Sequence, residues 1–63
     1  MGAERLLPRH EVERLTGFKR SHLYARIAAG TFPSPRKDPD GGRAVRWRES
    51  DVLAWIARWN QAA

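Results

Sequence analysis

Thr16-Gly17-Phe18-Lys19-Arg20-Ser21-His22-Leu23-Tyr24-Ala25-Arg26-Ile27-Ala28-Ala29-Gly30 decides the fold. Two glycines bracket a run of helix formers. Gly17 stops what precedes it, and Gly30 ends a helix running from Lys19 or Arg20 to Ala29, because glycine takes the left-handed cap conformation at little cost. On a helical wheel Leu23 and Ile27 share the inner face, Tyr24 and Arg26 lie on its two flanks, and Ser21, His22, Ala25 and Ala29 point outward. Short outward side chains, a basic start and no acid let a helix sink its backbone into a major groove. The same composition also suits an ordinary surface helix, since alanine is the best helix former and an exposed Ser-His pair is commonly just solvated.

Upstream, Leu6 to Gly17 reads as a short helix with Leu7, Val12 and Leu15 as its apolar positions and Pro8 near its start. The tight turn Thr16-Gly17-Phe18 joins it to the next helix, and the pair makes a helix-turn-helix. Downstream, Pro33 and Pro35 break any helix, and Phe32 is expected to pack beneath the chain there. Arg36-Lys37, the turn Asp38-Pro39-Asp40-Gly41-Gly42 and the return Arg43-Ala44-Val45-Arg46-Trp47 read as a hairpin with period two. Val45 and Trp47 then face the core, and Arg46 and Arg48 the other side. The last helix, about Glu49 to Asn60, stacks Val52, Leu53, Trp55, Ile56 and Trp59 on one face. Glu49 and Asp51 at its start and Arg58 near its end suit the helix dipole. The expected fold class is mainly α with a small β-hairpin: a winged helix-turn-helix of three helices plus wing, forming one domain over residues 1–63.

The chain's 63 residues leave room for one small core, and with no cysteine neither a disulfide nor a Cys-based zinc site can brace it. Trp47, Trp55 and Trp59 are expected to carry the packing. The longest apolar run, Val52 to Ala57, falls far short of the ~20 residues that cross a bilayer, and the N-terminus lacks an apolar signal region. A cytoplasmic protein with no membrane role is expected.

The formal net charge is +5, and it is localised. Residues 19–48 hold eight basic side chains (Lys19, Arg20, Arg26, Arg36, Lys37, Arg43, Arg46 and Arg48) against Asp38 and Asp40, while the rest of the chain nets −1. Such a block points one face at a polyanion. A catalytic role is not expected: His10 and His22 fall on separate helices without a carboxylate cluster, and the acids sit at helix starts or in a turn. No glycine-rich phosphate loop follows a strand, so no cofactor and no metal are expected. The Trp55–Trp59 stripe offers base stacking in principle, but its helical spacing beside Ile56 and Val52 reads as core.

Three segments carry a family resemblance. Thr16 to Tyr24, Gly30-Thr31-Phe32-Pro33-Ser34-Pro35 and Arg43 to Ile56 together resemble the AlpA family of phage-type regulators, itself related to the winged helices of excisionases and the MerR group. The resemblance implies a DNA-binding protein of a prophage or genomic island, acting on transcription or on excision of the element. It places the recognition helix at Arg20 to Tyr24 and the wing around Arg36 to Arg46. Two departures stand out. Lys19 occupies a place where the family usually has Ser, removing the side-chain oxygen that caps the recognition helix. The turn Asp38 to Gly42 is longer and more acidic than usual.

The expected activity is therefore sequence-specific binding of double-stranded DNA. Lys19, Arg20, Ser21, His22, Tyr24 and Arg26 form the recognition surface, and Arg36, Lys37, Arg43 and Arg46 form the wing. One module reads few base pairs, so repeated half-sites, self-association or contact with an integrase or RNA polymerase are the expected company. The alternative is a small adaptor gripping an acidic protein with the same basic face. RNA binding ranks below both, for want of an exposed aromatic platform.

Overall fold

A single indole organises the chain. In the computed structural model, which describes residues 4–61, Trp47 is wholly buried and is the bulkiest of the fully enclosed side chains. Around it the described elements run β1 (Leu6–Leu7), α1 (Arg9–Thr16), α2 (Arg20–Ala28), β2 (Arg36–Lys37), β3 (Val45–Arg48) and α3 (Glu49–Gln61). The core takes one residue from nearly every element: Leu7 from β1, Val12 from α1, Leu23 from α2, Trp47 from β3, Val52 from α3, and Phe32 from the connection after α2. This is the expected mainly helical winged helix-turn-helix.

The helix-turn-helix forms as its glycines dictate. Gly17 caps α1 at φ 79°, donating its N–H to the Glu13 carbonyl. At the end of α2, Gly30 stands at φ 78° and donates to the Ile27 carbonyl, while the Thr31 N–H reaches the Arg26 carbonyl. These two bonds make a Schellman cap, which satisfies carbonyls that a helix end leaves unpaired. The chain then turns through Phe32, and the indole N–H of Trp47 donates to the Pro33 carbonyl at 2.9 Å, fixing the connection to β3.

The sheet has three strands rather than the two of a hairpin, in the order β1-β3-β2 and antiparallel throughout. Leu6 and Leu7, expected to begin the first helix, are instead strand, with Leu6 opposite Arg48 and Leu7 opposite Trp47. The reason is Pro8, which disfavours the helical region for the residue before it and is itself extended at ψ 165°. The open edge of β3 takes the extended pair, and Leu7 is buried there. The return strand also starts at Val45 rather than Arg43, because Arg43 and Ala44 belong to the turn.

The segment just before β1 also sets the start of α3. The Glu49 N–H donates to the Arg5 carbonyl at 2.9 Å, and the Glu4 carboxylate accepts from the Ser50 backbone N–H at 3.1 Å and the Ser50 hydroxyl at 2.9 Å. A residue far away in sequence thus caps the helix. The aromatic face of α3 is less buried than its spacing implies. Val52 is enclosed and Trp55 half-buried, but Leu53 is 48% and Trp59 55% exposed. Thirteen residues make a rod of about 20 Å, and the core ends before the rod does.

Two tests follow from this packing. Trp47→Ala should cost about 3 to 5 kcal/mol and abolish cooperative melting, whereas Trp59→Ala should cost less than about 1 kcal/mol. Equal losses at both sites would refute the packing described. The Ser50 backbone N–H foremost, then the Ser50 hydroxyl and Arg48, hold the Glu4 carboxyl below its ordinary pKa. A depressed carboxylate stabilises the fold above its unfolded pKa and ceases to as pH falls through its folded value. The melting temperature should therefore fall between neutral and acid pH by less in Glu4→Gln than in the unaltered protein.

Candidate nucleic-acid interface

Helix α2 presents a face with little on it. Leu23 is fully buried and Ile27 half-buried, while Arg20, Ser21, His22, Tyr24, Ala25, Ala28 and Ala29 are exposed. Serine and alanines leave the backbone accessible along the middle of that face, as a groove-docked helix requires. Lys19 stands at the N-cap in extended conformation, with no side-chain capping bond. The missing cap follows from chemistry: an ammonium has only donors, and helix N-termini need acceptors.

The flanks of this face are built differently. On one side Tyr24 packs edge-on against Trp47, with ring centroids 6.4 Å apart, which directs it toward the sheet. On the other, the His22 ring lies 4.3 Å from the Phe18 ring, and its Nε2 accepts a hydrogen bond from Arg26 Nε at 3.0 Å. The Arg26 guanidinium sits over aromatic faces, 4.8 Å from the Phe18 centroid, 5.5 Å from Trp59 and 5.8 Å from Trp55. Arg26 is therefore turned toward the end of α3, away from the open face. Its four-residue spacing from His22 was a readable signal for such a pair.

Register sorts the wing. Arg36 is directly opposite Arg46, and Lys37 opposite Val45. Cross-strand partners share a side, so Arg36 and Arg46 lie together on the sheet's outer face and Lys37 on the side of Val45 and Trp47. Two arginines set opposite each other repel, and among the described residues neither enters an ion pair. Arg46 instead donates to the Val45 carbonyl at 2.9 Å. Arg43 is exposed in the turn. Asp38 in that turn is engaged locally: its Oδ1 accepts from the Asp40 N–H at 2.8 Å, and its carbonyl accepts from the Gly41 N–H. An Asx turn of this kind explains Asp38 without a ligand.

Elsewhere Glu4, Glu11, Glu13 and Glu49 are paired. Arg5 bonds Glu49 at 3.2 Å, Arg9 bonds Glu13 at 3.0 Å, Arg48 bonds Glu4 at 3.4 Å, and Arg14 grips both oxygens of Glu11 through Nε and Nη2. The Arg14 hydrogen bond holds the Glu11 carboxyl below its ordinary pKa, and Glu11 in turn raises Arg14. Among the described residues no ion pair involves Lys19, Arg20, Arg36, Lys37, Arg43 or Arg46. Also among them, no three His, Cys, Asp or Glu side chains come together as a metal site, and no helix is long and apolar enough to cross a membrane.

A helix-turn-helix with an open, basic second helix and a basic strand pair beside it defines a winged helix-turn-helix module. The chain belongs to the family of the prophage CP4-57 regulatory protein (AlpA), which it matches over residues 5–60. It is 44% identical over 54 residues to the uncharacterized protein ORF88 of Enterobacteria phage P4, an alignment covering 86% of this chain and 59% of that protein. The chain thus spans about six tenths of that relative's length. No solved structure matches it.

The bare N-cap generates a test. Lys19→Ser should raise stability by about 1 kcal/mol, read as a higher denaturant midpoint at unchanged slope, because a hydroxyl there accepts from the free N–H groups of the first turn. An unchanged midpoint would mean that α2 does not begin where Lys19 caps it.

Proposed function

We propose that this protein binds double-stranded DNA sequence-specifically, as a transcriptional regulator or excisionase-type factor of a prophage or mobile element. The observation that carries the reading is the sorting of charge. Glu11 and Glu13 of α1, Glu4 before β1 and Glu49 at the start of α3 meet arginines, while among the described residues no ion pair involves the cations of α2 or the wing. Membership in a prophage regulatory family agrees with it.

In this reading α2 lies in the major groove. Ser21 and His22 approach base edges from its first turn, Lys19 and Arg20 meet phosphates at its start, and Tyr24 reaches the backbone from the flank. The wing has Arg36 and Arg46 on one side, Lys37 on the other and Arg43 near its tip. A ribbon two strands wide with cations on both sides fits between the two phosphate rows of a minor groove. One module reads few base pairs, so the protein acts on repeated half-sites as several copies or beside a partner such as an integrase or RNA polymerase.

Competition binding with preferred and scrambled duplexes at several salt concentrations tests the assignment. Four to six phosphate contacts should give a slope of log K against log salt of roughly −4 to −5. Arg46→Ala should weaken both duplexes alike and flatten the slope by about one. His22→Ala should weaken only the preferred duplex, by about 1 to 3 kcal/mol. A slope near zero, with saturable binding to an acidic protein instead, overturns the DNA reading. If sequence preference survives His22→Ala but not a wing substitution, the hairpin is the reader.

A further inference from the structure

The pair His22–Arg26 has a chemical consequence beyond its geometry. A guanidinium does not give up a proton in a protein and has no acceptor, so in the 3.0 Å bond Arg26 Nε donates and His22 Nε2 accepts. An imidazole accepting at Nε2 carries no proton there, so the neutral ring carries its proton on Nδ1. The side chain is exposed, and Nδ1 has no hydrogen-bond partner among the described residues. A tilted contact with Phe18 restrains the ring, while Phe18, Trp55 and Trp59 hold the guanidinium behind it. Aromatic faces anchor this cation without the negative charge of a carboxylate, which would repel a phosphate chain nearby.

We infer that Arg26 is a positioning residue that fixes His22 as its Nδ1–H tautomer, so that His22 offers a donor and reads a hydrogen-bond acceptor on a base edge. The inference rests on the DNA-binding reading above and specifies what His22 recognises. In the major groove guanine presents two acceptors, N7 and O6, adenine presents N7, and thymine O4, whereas cytosine presents the N4 amino donor. His22 therefore selects guanine foremost and rejects cytosine at its position.

The tautomer can be read without DNA. Nitrogen-15 correlation spectra of the imidazole in the full chain, recorded at about pH 8 where an ordinary histidine is neutral, distinguish the two forms. In the unaltered protein His22 should carry its proton on Nδ1. R26M keeps the stem over the rings but has no donor, and should shift the ring toward Nε2–H, the form favoured by histidine free in water. R26Q places an amide nitrogen where Arg26 has Nε, and should keep Nδ1–H without the charge. R26A, which also lacks the donor, replaces R26M in the comparison if R26M does not melt cooperatively.

Selection from a random duplex pool supplies the second arm. R26M should lose about tenfold in discrimination against cytosine at one position, and R26Q, which lacks the same charge, should keep that discrimination. An Nε2–H ring in the unaltered protein, or a tautomer indifferent to R26M, overturns the inference while leaving DNA binding intact. The expected tautomers with an unchanged base preference in R26M overturn the specificity claim. Absence of any duplex binding at low salt by the unaltered protein removes the DNA reading, and this inference with it.

Discussion

Everything in this small fold depends on removing one indole from water. Trp47 is fully buried, yet its ring is large and its N–H is polar, so burial demands both neighbours on every side and a hydrogen-bond acceptor. The chain meets the first demand by placing Leu7, Val12, Leu23, Phe32 and Val52 in one cluster with it. Pro33 meets the second through its carbonyl. The same residue sits in the central strand of the sheet, so its burial fixes which side of β3 faces inward. Arg46 and Arg48 consequently face outward. The core and the basic wing are two sides of one alternation.

Charge placement follows a comparable economy. A domain with net charge +5 repels itself, and the few acids available are set where they do local structural work: Glu4 at the start of α3, Glu11 and Glu13 along α1, Asp38 inside its turn. The repulsion that remains is concentrated on α2 and the wing, most directly where Arg36 faces Arg46 across the ladder. A polyanion laid against that surface would relieve the repulsion.

The exposed end of α3 has a place in the same scheme. Trp59 contributes little to the buried cluster, but with Phe18 and Trp55 it forms the aromatic bed on which Arg26 rests. Rings separated by more than a third of the chain thereby hold a side chain on α2 in a fixed orientation, and that side chain orients His22. Helix α2 is thus supported from both flanks, by Trp47 beneath Tyr24 and by the aromatic bed beneath Arg26.

Local sequence determined the helix-turn-helix, because Gly17 and Gly30 end helices by backbone sterics that need no tertiary partner, and it determined the hairpin through the alternation of Val45, Arg46 and Trp47. The central position of the basic block was equally legible, since charge is additive along a chain. Tertiary structure alone decided the rest. Leu6 and Leu7 became a strand because β3 offered an open edge and Pro8 denied them a helix, and only the first of those facts lies outside the local sequence. Helical spacing could group Trp55 and Trp59 on one face but not say where the core beneath them ends, so Trp59 remained in solvent. Glu4 became the cap of α3 from 46 residues away, and four-residue spacing allowed His22 and Arg26 to pair without saying that three aromatic rings would hold the arginine in place. Periodicity reports direction around an axis, whereas burial and partner choice depend on what the folded chain brings opposite.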